Sequence, residues 1–251
     1  MKIEDGVLLC AYPSDITVDG KIVVPDGVRR IGSSAFWGCY WLNSIDIPKS
    51  VTSIGGWAFC NCTSLTEVSI PDSITHIGAG AFQDCTELAS VNIPNGLEDI
   101  SDFAFLCCTH IKKIRIPNSI KSFGYRAFGN TCLESSKKNY KAFRVLSDGT
   151  LVCRNTPYAV GKKTSVDGNL KLCENGIHYS TNLYEVFDYY CGEYDEDFVI
   201  AECTVSDEQD YEQDNVFIHS KRCARWVIPN RILKRKEVIN ILNNGRNAVC
   251  R

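Results

Sequence analysis

Apolar residues return every 23 positions along the first half of the chain. The strongest column pairs an alanine with a phenylalanine, and prolines and aliphatic residues follow in fixed register. The phenylalanines of this column are Phe36, Phe59, Phe82, Phe105 and Phe128, and the prolines are Pro25, Pro48, Pro71, Pro94 and Pro117. One short coil cannot bury its own apolar side chains, but identical stacked coils turn each column into a continuous core. The period predicts a solenoid of about five coils, with the columns facing inward.

Each coil is predicted to contain one short strand that ends at a proline. The spacing of Leu65, Val68 and Ile70 favours a strand whose apolar side chains enter the core. Pro71 then ends the strand, because proline has no N–H group for the ladder. Strands of adjacent coils are expected to pair in parallel, roughly 4.8 Å apart.

Two further columns mark the rest of the coil. A glycine column predicts a turn that needs positive φ, and Ser101 interrupts it, so the fourth coil is expected to turn differently. A cysteine column closes each coil, and its thiols are predicted to be buried structural groups. The glycines are Gly32, Gly55, Gly78 and Gly124, and the cysteines are Cys39, Cys62, Cys85 and Cys108.

The consensus IPxSVTxIGxxAFxxC followed by LxxVxIP resembles the BspA-like leucine-rich repeats of bacterial surface antigens and protozoan proteins. The resemblance covers residues 6–132, and GVLLCAYP followed by KIVVPDGVRRIG resembles the N-terminal cap of that family. It implies a curved right-handed solenoid used for adhesion or protein binding, and it does not identify the partner. We expect residues 1–132 to form this solenoid with its cap.

The period ends after Phe128, and residues 133–251 are expected to form a small α+β domain. Strands are predicted at YKAFRVL, GTLVCR, KLCENGIHYS, FVIAECTV and RWVIP, and helices at TNLYEVFDYY and NRILKRKEVINILNN. A turn is predicted at Asp167-Gly168, and Asn244-Gly245 is predicted to stop the last helix. The fold class of the whole chain is therefore α+β, a solenoid followed by a mixed domain.

The second half carries two resemblances. CENGIHYSTNLYEVFDYY, with YKAF before it and AECTV after it, resembles a small phage- and bacteria-associated domain family of unknown function over residues 140–232. More loosely, YKAFR and NGIHYSTNLYEVFDYYC are similar to the nicotinamide-holding elements of ADP-ribosyltransferases. The residues that this likeness implicates are Arg144, His178, Tyr179, Ser180 and Tyr190. That chemistry also needs a late glutamate, where this chain has Lys221 and Arg222, and Glu202 comes in the wrong order.

Charge and composition argue against some kinds of partner but do not indicate a function. The formal net charge is −3 and the pI is near 5.8, which gives no general attraction to nucleic acid or to an anionic membrane surface. The start MKIEDGVLLCAYP lacks the basic residues and long apolar stretch of a signal peptide, and no apolar run reaches membrane-spanning length. We expect a cytoplasmic protein whose 14 cysteines are reduced.

The residue pattern indicates no catalytic, cofactor or metal site. There is no C-x-x-C pair and no glycine-rich phosphate loop. The four histidines stand apart, and the sequence pairs no cysteine with a base. We therefore expect a protein without enzymatic activity, bound cofactor or metal.

Partner-binding residues are expected among the outward side chains that break the period. A basic end of the strand face is formed by Lys112, Lys113 and Arg115, which either dock an acidic surface or are simply solvated. A second cluster contains large aromatic residues, the usual anchors of protein interfaces. This cluster is Trp37, Tyr40, Trp41 and Trp57. Its alternative role is packing against the cap or the second domain.

The resulting hypothesis is a non-catalytic module that binds another protein through the solenoid surface. A more specific version is a phage-type inhibitor that captures and blocks a host or defence factor. One alternative is an ADP-ribosyltransferase-like enzyme in the second half, which would release nicotinamide from NAD. Another is a structural scaffold that forms a homodimer, and light scattering would detect it.

Overall fold

The computed structural model describes residues 1–133, 139–147, 151–153, 156–165, 177–180, 183–184, 186, 198–205, 221–224 and 226–243. The described residues divide into two compact units. The first comprises Met1–Leu133, and the second comprises the described residues that follow. Each unit has its own sheets and core.

The first unit is a solenoid of short strands arranged in coils of about 23 residues, as predicted. Its strands are β1 (Lys2–Glu4), β2 (Val7–Cys10), β3 (Lys21–Val23), β4 (Arg30–Ile31), β5 (Ser44–Asp46), β6 (Ser53–Ile54), β7 (Glu67–Ser69), β8 (His76–Ile77), β9 (Ser90–Asn92), β10 (Asp99–Ile100), β11 (Lys113–Arg115) and β12 (Ser122–Phe123), and Pro13–Asp15 form a short 3-10 helix. Each coil contributes one strand to each of two walls.

The first wall is a five-stranded parallel sheet in the order β11-β9-β7-β5-β3. Its register places Val68 opposite both Ile45 and Val91, one coil away on either side. The second wall is built from the two-residue strands, and it begins with the antiparallel hairpin β1–β2, whose strand β2 pairs in parallel with β4. The N-terminal hairpin therefore continues the second wall, in the position predicted for a cap.

The apolar columns form the core between these walls. The phenylalanine column is buried and stacked, with ring centroids 4.9 Å apart for Phe36–Phe59, 5.1 Å for Phe59–Phe82 and 5.5 Å for Phe82–Phe105. The rings are within 7° of parallel in each of these pairs. The predicted inward direction of the columns is confirmed.

The cysteine column is also buried, as predicted. The thiol of Cys62 donates to the carbonyl of Phe36 at 3.1 Å, and Cys108 repeats the contact with Phe82 at 3.0 Å. Burial raises the pKa of Cys39 to about 11, so this thiol stays protonated at neutral pH. Cys132 is disulfide-bonded, so the expectation that every cysteine is reduced is wrong.

The glycine column does not have the predicted conformation. None of the four glycines has positive φ, and the column is needed for close approach between coils instead. A Cβ atom on Gly78 would lie 2.4 Å from the nitrogen of Gly56, and one on Gly55 would lie 2.5 Å from the nitrogen of Ser33. Neighbouring backbones occupy the space that a side chain would need.

Positive φ occurs instead in two other columns, which the sequence analysis did not identify. The first contains Ser34, Trp57, Gly80, Phe103 and Arg126, and the second contains Gly38, Asn61, Asp84, Cys107 and Asn130. The φ values of these ten residues run from 50° to 69°. The residue types of the first column do not indicate positive φ, because only one of its five members is a glycine.

The second wall is interrupted between the third and fourth coils, where Ser101 replaces glycine. Strands β2, β4, β6 and β8 belong to one sheet, whereas β10 and β12 form a separate pair. The amide of Gly78 donates to Ile54 O at 2.9 Å, but at the next step the hydroxyl of Ser101, rather than its amide, donates to Ile77 O at 2.6 Å. The expectation that the fourth coil turns differently matches this break.

The second unit is α+β, and its strands form an eight-stranded sheet in the order β15-β14-β13-β18-β20-β16, with β17 pairing with β13 and β19. The strands are β13 (Asn139–Val145), β14 (Leu151–Cys153), β15 (Thr156–Tyr158), β16 (Thr164–Ser165), β17 (Ile177–Ser180), β18 (Phe198–Val205), β19 (Lys221–Ala224) and β20 (Trp226–Leu233). Phe143, Tyr158 and Val227 belong to its core cluster. A helix spans Arg235–Asn243, and Leu183, Tyr184 and Val186 are also helical.

The main error in the second half concerns β20. RWVIP was predicted to end at Pro229, but the strand continues to Leu233 because β18 pairs with it along its length. The following helix therefore begins at Arg235 and not near Asn230. Strands β15, β16 and β19 were not predicted, and the turn at Asp167-Gly168 and the stop at Asn244-Gly245 lie outside the described residues.

Candidate functional site

The strand face of the solenoid carries the outward side chains of the first wall. These are mostly small and polar, as in Ser69, Ser90 and Asn92, and they are exposed. At its start, Lys21 Nζ lies 2.7 Å from Asp46 Oδ2, so this carboxylate has a cationic partner within the chain. The centre of this face offers hydrogen-bonding groups and no large apolar anchor.

The basic end lies on β11. Lys112 and Arg115 are exposed there, and the described part of Lys113 is its backbone, which pairs with Ser90. Among the described strands, β11 stands at the edge of its sheet, paired with β9 alone. Lysine and arginine on an edge strand discourage pairing with another chain. The basic end therefore has a structural explanation that needs no partner.

The aromatic cluster lies elsewhere, on the segment that follows each second-wall strand, which we call the arc. The arcs are residues 32–41, 55–64, 78–87, 101–110 and 124–133. Trp37, Tyr40 and Trp57 are 62%, 71% and 49% exposed, and Trp41 is half-buried. The aromatic cluster and the basic end thus occupy different faces of the solenoid.

Two more aromatic residues extend the cluster along the arcs. Tyr125 is 42% exposed, and its ring meets that of Phe103 edge to face, with centroids 5.4 Å apart at 87°. We call Trp37, Tyr40, Trp57, Phe103 and Tyr125 the arc aromatics. The sequence could have indicated Phe103 and Tyr125, because each is a large ring in a column with small residues. Phe103 shares its column with Gly80, and Tyr125 shares its column with Ala79.

Trp57 and Phe103 hold their rings on a strained backbone. Their φ angles are 53° and 57°, in the left-handed region that bulky residues rarely adopt. The same column contains Gly80 at φ 62°, which meets the same geometry without the Cβ penalty. Such a conformation costs on the order of 1–3 kcal/mol and persists where the surroundings enforce it. Two bulky rings are therefore kept at positions where glycine would be the stable choice.

Contacts with the next coil fix the orientation of the two tryptophans. Burial raises the pKa of the Cys60 thiol, and the indole of Trp37 lies close enough to this thiol to oppose part of that rise. The ring of Trp57 lies against Gly80, since a Cβ atom at that glycine would be 2.7 Å from the indole Cδ1 and Nε1. The exposed rings are held in place before any partner arrives.

The residues of the nicotinamide hypothesis are not assembled into a described site. Tyr179 is buried in β17, and Glu202 Oε2 accepts a hydrogen bond from Arg231 Nε at 2.7 Å. His178 pairs through its backbone with Cys223 of β19, and its side chain lies outside the described residues. Tyr190 also lies outside them. The one strand carboxylate considered for this chemistry is thus held by an ion pair.

The described residues lack a metal-binding cluster and a membrane-spanning helix. No group of three or more histidine, cysteine, aspartate or glutamate residues is placed to hold a metal ion among them. Within the same residues, the helices are too short or too polar to cross a lipid bilayer.

The chain matches two family models. Six copies of the BspA type leucine rich repeat region match residues 19–134, and a domain of unknown function, DUF7666, matches residues 138–231. Neither match indicates an enzyme family, and neither supports the ADP-ribosyltransferase likeness or the association with phage. No curated protein matches the chain at a significant level.

Solved structures similar to the chain include other leucine-rich repeat proteins. The Treponema (T. pallidum) leucine rich repeat protein is 30% identical, with 47% of this chain and 66% of that chain covered and a TM-score of 0.43. A leucine-rich repeat protein from Bacteroides ovatus is 31% identical, with 44% and 34% covered and a TM-score of 0.38. The chain therefore spans less than two thirds of each of these relatives.

A third similar structure is the pneumococcal vaccine antigen PcpA, which is 24% identical with 54% of this chain and 35% of that chain covered, at a TM-score of 0.43. The family matches agree with the 23-residue coils, the buried columns and the mixed second unit. The chain thus contains a BspA-type leucine-rich repeat region followed by a DUF7666 domain.

Proposed function

We propose that the protein is a non-catalytic binding module that recognises another protein through the arc aromatics of its solenoid. The observation that carries this proposal is the pair of bulky rings at positive φ, Trp57 and Phe103, next to a glycine that fits the same column. Trp57 is 49% exposed, and an exposed ring kept at an energetic cost favours a use other than stabilising the fold.

The surface chemistry of the arc supports the same conclusion. Tryptophan and tyrosine are the residues that most often dominate the binding energy of a protein interface. A ring loses little conformational freedom on binding when it is already oriented, as the Trp57 ring is against Gly80. The arc therefore combines anchors with preorganisation.

The basic end on β11 is a second candidate surface. Lys112, Lys113 and Arg115 would dock an acidic partner, but edge protection accounts for their charge equally well. In the more specific version, the protein captures and blocks a host or defence factor. The second domain, residues 133–251, would then extend the recognition surface or set the oligomeric state.

A pull-down with matched variants tests the proposal. The immobilised full chain is incubated with lysate of the source cells beside a Trp37→Ala/Tyr40→Ala variant and a Lys112→Ala/Arg115→Ala variant, and captured proteins are identified by mass spectrometry. We expect one stoichiometric partner that the arc variant loses and the strand-face variant keeps.

The other outcomes favour the alternatives. If only the strand-face variant lost the partner, the binding site would be the basic end and not the arc. A clean dimer in light scattering, with no captured protein, would favour the scaffold. Release of nicotinamide from NAD by the purified chain would contradict the non-catalytic assignment.

A further inference from the structure

We infer that the arc aromatics receive a cationic side chain, arginine foremost, from an exposed segment of the partner protein. This inference rests on the proposed function and adds the chemistry of the partner. It follows from the charged residues near the rings, because the rings alone do not indicate which charge the partner carries.

The arcs carry more negative than positive charge. Their ionised residues are Asp84, Glu87, Asp102 and Arg126, and their histidine is His110. Arg126 is half-buried, and its Nε would be 3.3 Å from a Cβ atom at Gly129, so this side chain folds back along its own coil. Glu87 lies 3.9 Å from the imidazole of His110. Asp84 and Asp102 are the remaining carboxylates of the arcs, and their contacts decide which charge a partner should carry.

Both carboxylates accept hydrogen bonds from neutral donors. The side-chain amide of Gln83 donates to Asp84 Oδ2 at 3.1 Å, and the backbone amide of Tyr125 donates to Asp102 Oδ1 at 2.7 Å. These bonds orient the carboxylates without neutralising them. Among the described side chains of residues 1–133, the carboxylates that lie within ion-pair distance of a basic group are others, namely Glu4, Asp15, Asp46, Glu87 and Glu98.

Gly80 lies in the coil between that of Trp57 and that of Asp102. The indole of Trp57 lies against this glycine, and the amide of Gly80 donates to the carbonyl of Asp102 at 2.8 Å. Asp102 is exposed and lies in the same coil as Phe103, and Tyr125, whose ring meets that of Phe103 edge to face, lies in the next coil. An aromatic ring and an exposed carboxylate therefore lie on adjacent coils of one surface.

This combination matches the properties of a guanidinium group. A cation over an indole ring gains about 0.5–1 kcal/mol at an exposed site. Arginine also stacks on aromatic faces and donates two parallel hydrogen bonds to a carboxylate, which the compact lysine ammonium does not. An acidic segment would instead be repelled by the exposed carboxylate of Asp102. Charge complementarity thus selects a basic partner for the arc.

Calorimetric titration of the full chain with synthetic peptides tests this inference. Three peptides of equal length alternate leucine with arginine, with its uncharged analogue citrulline or with glutamate. We expect measurable binding of the arginine peptide, binding at least about fivefold weaker for the citrulline peptide, and none for the glutamate peptide.

Three variants locate the binding site. Trp57→Gly should weaken the arginine peptide about threefold to fivefold, because it removes the ring and keeps a residue suited to positive φ. Asp102→Asn should weaken it similarly, since the amide oxygen still accepts from Tyr125 while the charge is gone. Glu67→Gln, on the strand face, should leave the affinity unchanged.

Each contrary result has a defined meaning. Equal binding of the arginine and citrulline peptides, or no binding of any peptide, would overturn the inference. Loss of affinity in Glu67→Gln with none in Asp102→Asn would also overturn it. Binding of the glutamate peptide that depends on Trp57 would overturn the cationic partner and leave recognition by the arc intact.

Discussion

The strand face and the arc belong to the same coils, but they are built by different rules. On the strand face, strands such as β5, β7 and β9 pair in strict register and expose small polar side chains. The arc contains two left-handed residues per coil and exposes residues as different as Ser34 and Trp57. A regular ladder needs no special residue on its outer side, whereas the arc imposes a conformation on whichever side chain it carries.

The comparison also separates what the fold requires from what recognition requires. Inward columns are uniform on both sides of the coil, with Phe82 under the arc and Val68 under the strand face. Outward positions vary on both faces, as Ser69 and Arg115 show in one strand column and Ser34 and Trp57 in one arc column. Substitutions on the two faces can test this distinction.

The core beneath the arc should be the more sensitive one. Phe82→Ala removes the middle ring of the stack, between neighbours at 5.1 Å and 5.5 Å, and we expect it to lower the free energy of unfolding by about 3–5 kcal/mol. Val68→Ala, beneath the strand face, should cost about 2 kcal/mol. Chemical denaturation measures both. Equal losses of unfolding free energy in the two variants would contradict the prediction that the core beneath the arc is more sensitive.

Close approach of the coils gives the second prediction. Gly78→Ala would put a Cβ atom 2.4 Å from the nitrogen of Gly56, and we expect a loss of about 1–3 kcal/mol in unfolding free energy. The matched control is Gly96→Ala, where the nearest atom would be 3.6 Å away. This control should be neutral or stabilising by about 0.5 kcal/mol. Thermal unfolding of both variants would show the difference, and a harmless Gly78→Ala would contradict the close-approach role.

The repeat could be predicted from the sequence because stacked coils need an apolar residue at the same position of every coil. Burial of the phenylalanine and cysteine columns followed from the spacing of residues such as Phe59 and Cys62. The glycine column was found by its period, but the positive φ predicted for it was wrong, because close approach of neighbouring backbones requires these glycines. The sequence shows a recurring glycine at Gly55, but only the coordinates show that a neighbouring backbone, and not backbone torsion, fills the space of a side chain there.

The candidate site was predicted only in part, since its geometry depends on positions with no common residue type. Trp37 and Tyr40 were identified as unusual large rings, but Phe103 and Tyr125 were not. Positive φ at Trp57 left no trace in composition. In the second half, the strand at Ile232 and Leu233 was mistaken for helix because pairing with β18 overrides the helix propensity of the neighbouring lysines and arginines.

One substitution made on each face should have opposite effects. Ser34→Gly, at φ 58° on the arc, relieves a left-handed serine, and we expect a gain of about 0.5–1 kcal/mol in unfolding free energy. Ser69→Gly, at the end of β7, loosens an extended strand and should cost about 0.5–1 kcal/mol. Denaturant midpoints of the two variants measure this pair. The same sign for both would contradict the contrast between the faces.

The smallest net change is expected at the break in the second wall. Ser101→Gly removes the side chain that prevents the fourth coil from repeating the Gly78–Ile54 hydrogen bond, and it also removes the hydroxyl that bonds to Ile77 O. Because one bond replaces another, stability should change by no more than about 0.5 kcal/mol, while the amide at position 101 exchanges more slowly with deuterium. Ser101→Ala keeps the Cβ atom and loses the hydroxyl, so it should cost about 1 kcal/mol with no new protection. If both variants were destabilised alike and neither amide gained protection, the Cβ atom of Ser101 would not be the cause of the break.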